Sequence, residues 1–460
     1  MLLKYLARIA LCTLFASLHF PATVEVDAAS IQWDEEPCQT THRPRRTSIP
    51  VHYVSGTHYE VGFSVGRTYG NMIKEYLKAY TPLQDDYLKM YAEPEGQSIY
   101  EESFISTQKY FPQYIIELQG VADGAQVPFE ELFLMALDDT LSVNLNKGPV
   151  DKGPVGCTSL IINQPYGQFL GHTEDALASA EDNYYIIAAH VLPSENESGG
   201  LFKAREEKFE ALAYAGHLPG YASGHNHHGV VFSINTIFVN SPLRGRIPRE
   251  FITRALLSSR ANLTEIMDIL INDGVGTADG FNVNLAFLDV PRESRTFHTF
   301  EVIPYDKDSR SEVCHKEFKS GNNSLHANRL LCLETPESQD ELTYGSSVSR
   351  ENKYKQLTKN KVATSLNDIV EVLGNSDDGA MSIYRDGPCE PVKTIHLGIF
   401  DFDRKLWIMW TKNPTDNPPL LQLPLTFVDL ISSPATAGRV DTNNIDDFKV
   451  SLVKRNTDTL

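Results

Sequence analysis

The hydrophobic pattern of the chain changes its period near residue 156, and this change limits the folds that the chain can adopt. Apolar residues recur at helical spacing over residues 57–142, whereas from Thr158 onward they alternate as they do in strands. A stretch rich in glycine and proline, residues 144–156, lies between the two patterns and predicts an exposed, flexible loop. We therefore expect a helical block followed by a block that is mostly β-sheet.

The β block begins with a predicted hairpin. Residues 158–162 form its first strand, 163–167 its turn and 168–173 its returning strand. Further strands are predicted at 184–192, 209–214, 229–238, 281–288, 296–303, 392–402 and 406–411, and helices at 248–257, 263–271, 346–357 and 366–373. These alternating runs predict an α+β protein in which two antiparallel sheets lie between helices, a four-layer αββα architecture.

The composition of the chain argues against one class of function, nucleic-acid binding. Of the 460 residues, 41% are hydrophobic, which is ordinary for a folded globular protein. The 60 acidic residues outnumber the 41 basic ones and give a formal charge of −19. Because proteins bind nucleic acid chiefly through positive charge, this acidic balance argues against nucleic acid as a partner.

The N-terminal segment has the pattern of a secretory signal. Lys4 and Arg8 precede an apolar run over residues 9–20, and small residues follow at Ala28 and Ala29. We predict a signal peptide at residues 1–29, because the alternative, a membrane anchor, needs about 20 uninterrupted apolar residues. The predicted location is extracellular or lysosomal, or cytoplasmic if the segment is not a working signal, with no stable membrane span. Secretory routing makes three asparagines glycosylation acceptors, namely Asn196, Asn262 and Asn322.

The cysteine count predicts one free thiol in the mature chain. Once the signal peptide is removed, five cysteines remain: Cys38, Cys157, Cys314, Cys332 and Cys389. In an oxidising compartment four of these can pair, and four cysteines allow three connectivities. The sequence does not determine which of these cysteines form disulfides with one another. Cys157 is the candidate for the unpaired thiol.

The junction Gly156-Cys157 carries the most specific chemistry in the sequence. A glycine directly before a thiol permits the strained geometry in which the thiol attacks its own preceding carbonyl. Cleavage there would give Cys157 a free α-amine with an ordinary pKa near ~8, close enough to take the proton of the thiol. The alternative is that Cys157 is a small buried residue without a reaction.

Three more residues are candidates for the same site. Asp175 follows Cys157 by eighteen positions, at the far end of the predicted hairpin, where its carboxylate can hold the new ammonium; Glu174-Asp175 are otherwise solvated turn residues. The amide of Asn328 can donate to an oxyanion. Arg350, at the predicted start of a helix, opposes the helix dipole and so calls for a carboxylate partner. Other asparagines able to replace Asn328 are Asn235, Asn282 and Asn284.

The histidine-rich segment 224–228 has the composition of a metal site, but no carboxylate or cysteine completes a ligand set at strand or helix spacing. We interpret this segment as an exposed turn. No metal and no dissociable cofactor are predicted.

Four motifs carry a resemblance to a known family. They are residues 116–125 (Ile-Glu-Leu-Gln-Gly-Val-Ala-Asp-Gly-Ala), 156–159 (Gly-Cys-Thr-Ser), 171–175 (Gly-His-Thr-Glu-Asp) and the Ser-Ser-x-x-Arg element that ends at Arg350. Over residues 56–411 the chain resembles the acyl-coenzyme A:isopenicillin N acyltransferase family of N-terminal-nucleophile hydrolases. The resemblance implies a precursor cut before Cys157, with an α chain of residues 30–156 and a β chain of residues 157–460 that stay together.

The resemblance also implies roles and an activity. Cys157 matches the nucleophile, Asp175 the acid that orients its amine, Asn328 an oxyanion donor and Arg350 the arginine of the Ser-Arg pair. The expected reaction is hydrolysis of a small N-acyl amine, with β-alanyl conjugates of dopamine or histamine as expected substrates. Two alternatives stay open: an acyltransferase or fatty-acyl amide hydrolase on the same fold, and a catalytically inactive secreted binding protein.

Overall fold

The computed structural model describes residues 44–145, 156–194, 200, 202, 204–337, 343–387, 390 and 392–427. The predicted signal peptide, most of the predicted loop before Cys157, and Cys38, Cys389 and Asn196 lie outside the described residues. The chain divides into two compact units after Leu425, and every element below belongs to the first unit.

The helical block contains six α-helices and one π-helix within the described residues. Thr57 begins the first helix with a capping box that it shares with Glu60, and proline stands in the first turn of three of the elements that follow. The elements are α1 (His58–Ala79), a π-helix (Pro82–Tyr87), α2 (Leu88–Tyr91), α3 (Pro94–Tyr110), α4 (Pro112–Ala125), α5 (Phe129–Ala136) and α6 (Asp138–Asn144).

Helices α1 and α4 pack at unusually close range. A Cβ at Gly62 would lie 2.0 Å from the carbonyl oxygen of Glu117, and one at Gly120 would lie 2.3 Å from that of Tyr59. Only glycine fits at these crossing points, since any side chain would overlap the facing backbone. The Gly-Val-Ala-Asp-Gly part of the motif at residues 116–125 is therefore a helix-packing element.

Two sheets follow. The eight-stranded sheet has the order β1-β4-β5-β6-β7-β8-β9-β10, and the six-stranded sheet has the order β11-β2-β3-β12-β13-β14. All pairs are antiparallel except β1 with β4, which are parallel. The strands are β1 (Val51–Gly56), β2 (Gly156–Gln164), β3 (Gly167–Leu177), β4 (Tyr184–Val191), β5 (Glu207–Tyr214), β6 (Ser223–Asn226), β7 (Val230–Ile237), β8 (Gly280–Phe287), β9 (Phe297–Pro304), β10 (Ser311–Phe318), β11 (Asn322–His326), β12 (Val392–Asp401), β13 (Leu406–Trp410) and β14 (Leu421–Pro424).

The remaining helices and the alternation of the strands complete four layers. The helices are α7 (Arg249–Leu256), α8 (Leu263–Ile271), α9 (Thr343–Thr358) and α10 (Leu366–Leu373). On β2, Ile161 faces the core shared by the two sheets, whereas Leu160 faces a second core with Ile369 and Leu373 of α10. Helices α1 and α8 contact the eight-stranded sheet, and α9 and α10 contact the six-stranded sheet. The structure confirms the predicted α+β class and the αββα layering.

Two interpretations of the sequence are corrected. The segment 224–228 is an exposed turn in neither half: residues 224–226 belong to β6, which buries His225 against Glu210, and His227 and His228 form a half-buried turn. The Asn226 amide donates to the carbonyls of Leu257 and Ser259. Arg350 does not start a helix, because α9 begins seven residues earlier at Thr343.

Several strands were not predicted. They are β1, β6, β10, β11 and β14. The sequence of β10 is largely polar and the strand is half-exposed at the edge of its sheet, so it lacks the apolar alternation that marks a strand.

The described cysteines resolve part of the pairing that the sequence left open. Cys314 of β10 forms a disulfide with Cys332, and Cys157 is free and buried. The prediction that Cys157 is unpaired holds among the described residues. None of the described helices is both long enough and apolar enough to cross a bilayer.

Candidate active site

The β2–β3 hairpin places the candidate residues on two faces. Gly156 is paired with Asp175 and Cys157 with Glu174. Because paired residues share a face and neighbours alternate, Cys157 and Glu174 point between the two sheets. Asp175 points to the opposite side, toward α9. The hairpin is confirmed, and it extends to both carboxylates, which are buried strand residues rather than turn residues.

Cys157 is the centre of the inner face. Its side chain is buried, and its thiol donates to Glu174 Oε2 at 3.3 Å. Burial and the carboxylates of Glu174 and Asp175 raise the pKa of the Cys157 thiol well above its usual range. These surroundings therefore favour the protonated thiol over the thiolate.

The nitrogen of Cys157 is held by Asn328. This N–H donates to Asn328 Oδ1 at 2.9 Å. Gly156 has a φ of 156°, and a Cβ at this position would lie 2.0 Å from the same Oδ1 atom. Any side chain at residue 156 would displace Asn328, so this contact requires glycine.

Arg350, which lies on α9, links Cys157 to Asn328. Its guanidinium donates to the carbonyl oxygen of Cys157 at 2.7 Å, to Thr158 Oγ1 at 2.9 Å and to Asn328 Oδ1 at 2.8 Å. Burial and the nearby Arg385 lower the pKa of Arg350 to about 10, so it stays charged at neutral pH. One planar guanidinium thus fixes both the backbone of Cys157 and the Asn328 oxygen that accepts from its nitrogen.

Asn328 acts as an acceptor in this structure. Its Nδ2 donates to the carbonyl of Thr236 at 2.9 Å, while its Oδ1 faces Cys157 and Arg350. The oxyanion role predicted for Asn328 stays a prediction.

The other asparagines considered for that role lie on β7 and β8. Asn235 Nδ2 donates to the carbonyl of His326, and Asn284 donates to Asn235. Both amide atoms of buried Asn282 lack a hydrogen-bond partner among the described residues.

Asp175 is surrounded by positive charge. Its Oδ1 accepts from Thr394 Oγ1 at 2.6 Å, and its Oδ2 lies 4.0 Å from the Arg385 guanidinium. Burial raises the pKa of Asp175, although Arg385 and Arg350 oppose that shift. The structure thus brings Cys157, Asn328, Arg350 and Asp175 together, with Asp175 on the far side of β3 from the sulfur.

Three residues of the inner face were not predicted as site residues. Glu174 Oε1 accepts from the Tyr214 hydroxyl at 2.6 Å, and its Oε2 lies 2.7 Å from His172 Nε2. His172 in turn contacts Ser159, the residue paired with it on β2. The sequence does contain a sign of this cluster. His172 and Glu174 are two residues apart on a strand, and this spacing places both side chains on the face that carries Cys157.

This cluster is also a possible donor set for a metal. Cys157 Sγ, a His172 ring nitrogen and a Glu174 oxygen lie within 4.8 Å of one another. Sulfur, imidazole and carboxylate are ligands that zinc accepts. The hydrogen bonds of Glu174 to both partners already account for the proximity of the three groups.

Cys157 thus presents a buried thiol between the two sheets, while Asn328 holds its backbone nitrogen. The chain belongs to the acyl-coenzyme A:6-aminopenicillanic acid acyl-transferase family, whose family model matches residues 162–415. It is 41% identical over 388 residues to the β-alanyl-dopamine/carcinine hydrolase of Drosophila melanogaster, covering 84% of this chain and 98% of that relative. The family predicted from the motifs is confirmed.

The chain is also similar to two solved structures over part of its length. A mutant of the conjugated bile acid hydrolase from Clostridium perfringens has 12% sequence identity and a TM-score of 0.35, over 58% of this chain and 92% of that one. A second variant of the same hydrolase has 13% identity, the same TM-score of 0.35, and the same coverage of 58% and 92%.

Proposed function

We propose that this protein is a cysteine amidohydrolase that cleaves β-alanyl amines, such as β-alanyl-dopamine and carcinine, into β-alanine and the free amine. The observation that carries the proposal is the contact set of Cys157: its sulfur lies on the inner face, while its nitrogen and carbonyl are held by Asn328 and Arg350. The identity to a hydrolase of these substrates, over most of both chains, supports the choice of substrate.

The first chemical step is attack of the Cys157 sulfur on the carbonyl carbon of the substrate amide. In the mature enzyme the α-amine of Cys157 takes the thiol proton and then gives it to the departing amine, so one residue supplies both nucleophile and base. The carbon–nitrogen bond breaks and a thioester to Cys157 remains. Asn328, which holds this nitrogen in the structure, positions the base beside the sulfur.

The second step is hydrolysis of the thioester. Water adds to the acyl carbon as the same amine removes its proton, the carbon–sulfur bond breaks, and β-alanine leaves with the thiol regenerated. Donors to the oxyanion are required in both steps; the candidates are the amide of Asn328 and that of Asn282, whose polar atoms have no partner among the described residues.

Self-cleavage between Gly156 and Cys157 is part of the proposal, because the α-amine exists only after this bond is cut. The absence of a side chain at residue 156 leaves its carbonyl open to the adjacent thiol. The mature enzyme would then consist of the α chain 30–156 and the β chain 157–460.

The experiment combines an assay with an end-group analysis. Purified protein is incubated with β-alanyl-dopamine and with carcinine, and release of dopamine, histamine and β-alanine is measured by chromatography. N-terminal sequencing of the same preparation should give Cys-Thr-Ser-Leu. An active preparation that contains only the uncut chain would overturn the role given to the α-amine.

Acyl transfer is the second candidate activity, because the matching family is described as an acyl-transferase. A thioester that is accessible to an amine passes its acyl group to that amine instead of to water. Adding histamine to a reaction with β-alanyl-dopamine distinguishes the two: carcinine forms only if transfer competes with hydrolysis.

Routing through the secretory pathway is a further part of the proposal. The Cys314–Cys332 disulfide supports it, since such bonds persist in oxidising compartments. Asn262 and Asn322 are both exposed, as glycosylation requires. A mobility shift on treatment of the secreted protein with an N-glycosidase tests the routing.

A further inference from the structure

The carboxyl group of Glu174 contacts the reacting sulfur, and the reaction described above gives it no task. Its carboxylate accepts a hydrogen bond from the Cys157 thiol at 3.3 Å, so any acyl group on that sulfur must lie beside it. The acyl group of the proposed substrate carries an ammonium group. We propose that Glu174 is the specificity residue that binds the β-alanyl ammonium; this inference rests on the proposed function.

The charge around Glu174 supports this assignment. Among the residues that the structure describes, the only basic side chain paired with Glu174 is His172, at 2.7 Å, and no arginine or lysine forms an ion pair with it. The adjacent Asp175 has the guanidinium of Arg385 beside it. A buried carboxylate without a strong cationic partner is costly, and a ligand ammonium group would supply that partner.

Among the described residues, the hydrogen bonds to Glu174 leave one acceptor position of its carboxylate unused. An ionised carboxylate has about four acceptor positions. Three are used, by the Tyr214 hydroxyl on Oε1 and by His172 and Cys157 on Oε2. His396, which lies opposite Glu174 on β12, is buried with its pKa lowered to about 3, so it is neutral and adds no positive charge.

The length of the acyl chain fits this distance. In a β-alanyl group the nitrogen is three bonds from the carbonyl carbon, roughly 4 Å when the chain is extended. An ammonium–carboxylate hydrogen bond spans about 2.8 Å. A carbonyl carbon bonded to Cys157 Sγ can therefore place its ammonium group against Glu174 Oε1, whereas a hydrocarbon acyl chain would place methylene groups against a charge. Fatty-acyl amides are disfavoured as substrates for the same reason.

The test compares two substrates that differ in one group. β-Alanyl-dopamine and N-propionyl-dopamine have acyl chains of similar shape, and only the first carries an ammonium group. We expect wild-type protein to prefer β-alanyl-dopamine in kcat/KM. Glu174→Gln should reduce kcat/KM for β-alanyl-dopamine by roughly 10- to 100-fold, the value of one hydrogen bond to a charged group, mostly through a higher KM, while the propionyl substrate changes little.

Glu210 provides a matched control, because it lies on the same face of β5 as Tyr214. Glu210 is also buried and also contacts a histidine, His225 at 3.3 Å, but lies four residues along the strand from Tyr214. Glu210→Gln should leave the ratio of the two substrates unchanged.

Several outcomes would overturn the inference. Equal losses for both substrates in Glu174→Gln would mean that Glu174 only positions Cys157, and no loss for either would mean that it does not bind the acyl group. Wild-type protein that cleaves both substrates equally well would exclude the inference even if the variant fails to fold. Wild-type protein that cleaves neither would instead refute the proposed function.

Discussion

The two faces of the β2–β3 hairpin carry opposite electrostatic environments. On the outer face, Asp175 lies near the guanidinium groups of Arg350 and Arg385, under the helix α9. On the inner face, the Cys157 thiol lies against Glu174, which is bonded to Tyr214 and has no arginine or lysine partner among the described residues. In the proposed mechanism, contacts on the outer face hold the backbone of Cys157, and the inner face carries the reacting sulfur and the proposed site for the substrate ammonium group.

In the proposed mechanism, this separation keeps the backbone of Cys157 rigid while its sulfur reacts. The nitrogen and carbonyl of Cys157 are held by Asn328 and Arg350, whereas its sulfur has a single carboxylate acceptor on the other side of the sheet. Because the holding contacts are made by backbone atoms, they do not occupy the sulfur. The two sets of contacts can therefore be changed separately by mutation.

Removing the sulfur should have the largest effect. Cys157→Ala leaves the contacts of the outer face in place but deletes the nucleophile, so we expect hydrolysis to fall by at least about 10⁴-fold. The same variant should remain a single uncut chain. Release of dopamine from β-alanyl-dopamine and a denaturing gel measure the two results. Activity above one-thousandth of wild type, with the chain folded, would show that another residue is the nucleophile.

The next largest effect should come from replacing Arg350, whose guanidinium makes the contacts on the outer face. Lysine at residue 350 keeps the charge but cannot contact the Cys157 carbonyl, Thr158 and Asn328 together, so Arg350→Lys should lower kcat by about 100-fold. Arg329→Lys is the matched control, because Arg329 forms a bidentate pair with Glu351 at 2.7 Å, near the site but without contact to Cys157. Steady-state kinetics on both variants would contradict the interpretation if they lost activity equally.

Asn328 can be tested for the role that the structure gives it. Asn328→Asp keeps the oxygen that accepts from the Cys157 nitrogen and from Arg350, whereas Asn328→Ala removes it. If holding the nitrogen is the main task, the aspartate variant should keep about ten times more activity than the alanine variant, the value of roughly one hydrogen bond. If donation to an oxyanion dominates, the aspartate variant will be no better than alanine, since neither donates.

Much of this arrangement follows from local sequence pattern. The change of period at residue 156 predicted the helical block and the hairpin, and the alternation of the strands predicted two sheets. The hairpin in turn predicted that Asp175 returns to the start of β2, and it does so opposite Gly156. These features are set by neighbours close in sequence, which is why they can be predicted without a structure.

The inner face was harder to predict because its partners come from distant strands. Glu174 was interpreted as a possible turn residue, although two residues after His172 on a returning strand it had to share the face of Cys157. Its partner Tyr214 lies on the other sheet, and Arg385 comes from a segment beyond α10. Contacts across layers depend on how the sheets pack, and a single sequence does not specify that packing.

The smallest expected effect concerns how differently Glu174 and Asp175 change the pKa of the Cys157 thiol. Both raise the pKa of the Cys157 thiol, and Glu174 contributes more than Asp175, which has arginines beside it. Removing a negative charge makes the thiolate easier to form, so the pH midpoint for alkylation of Cys157 by iodoacetamide should move to lower pH in Glu174→Gln and less far in Asp175→Asn. Glu210→Gln should leave the midpoint where it is. A larger movement in Asp175→Asn would mean that the outer face, rather than the inner one, controls the protonation of the nucleophile.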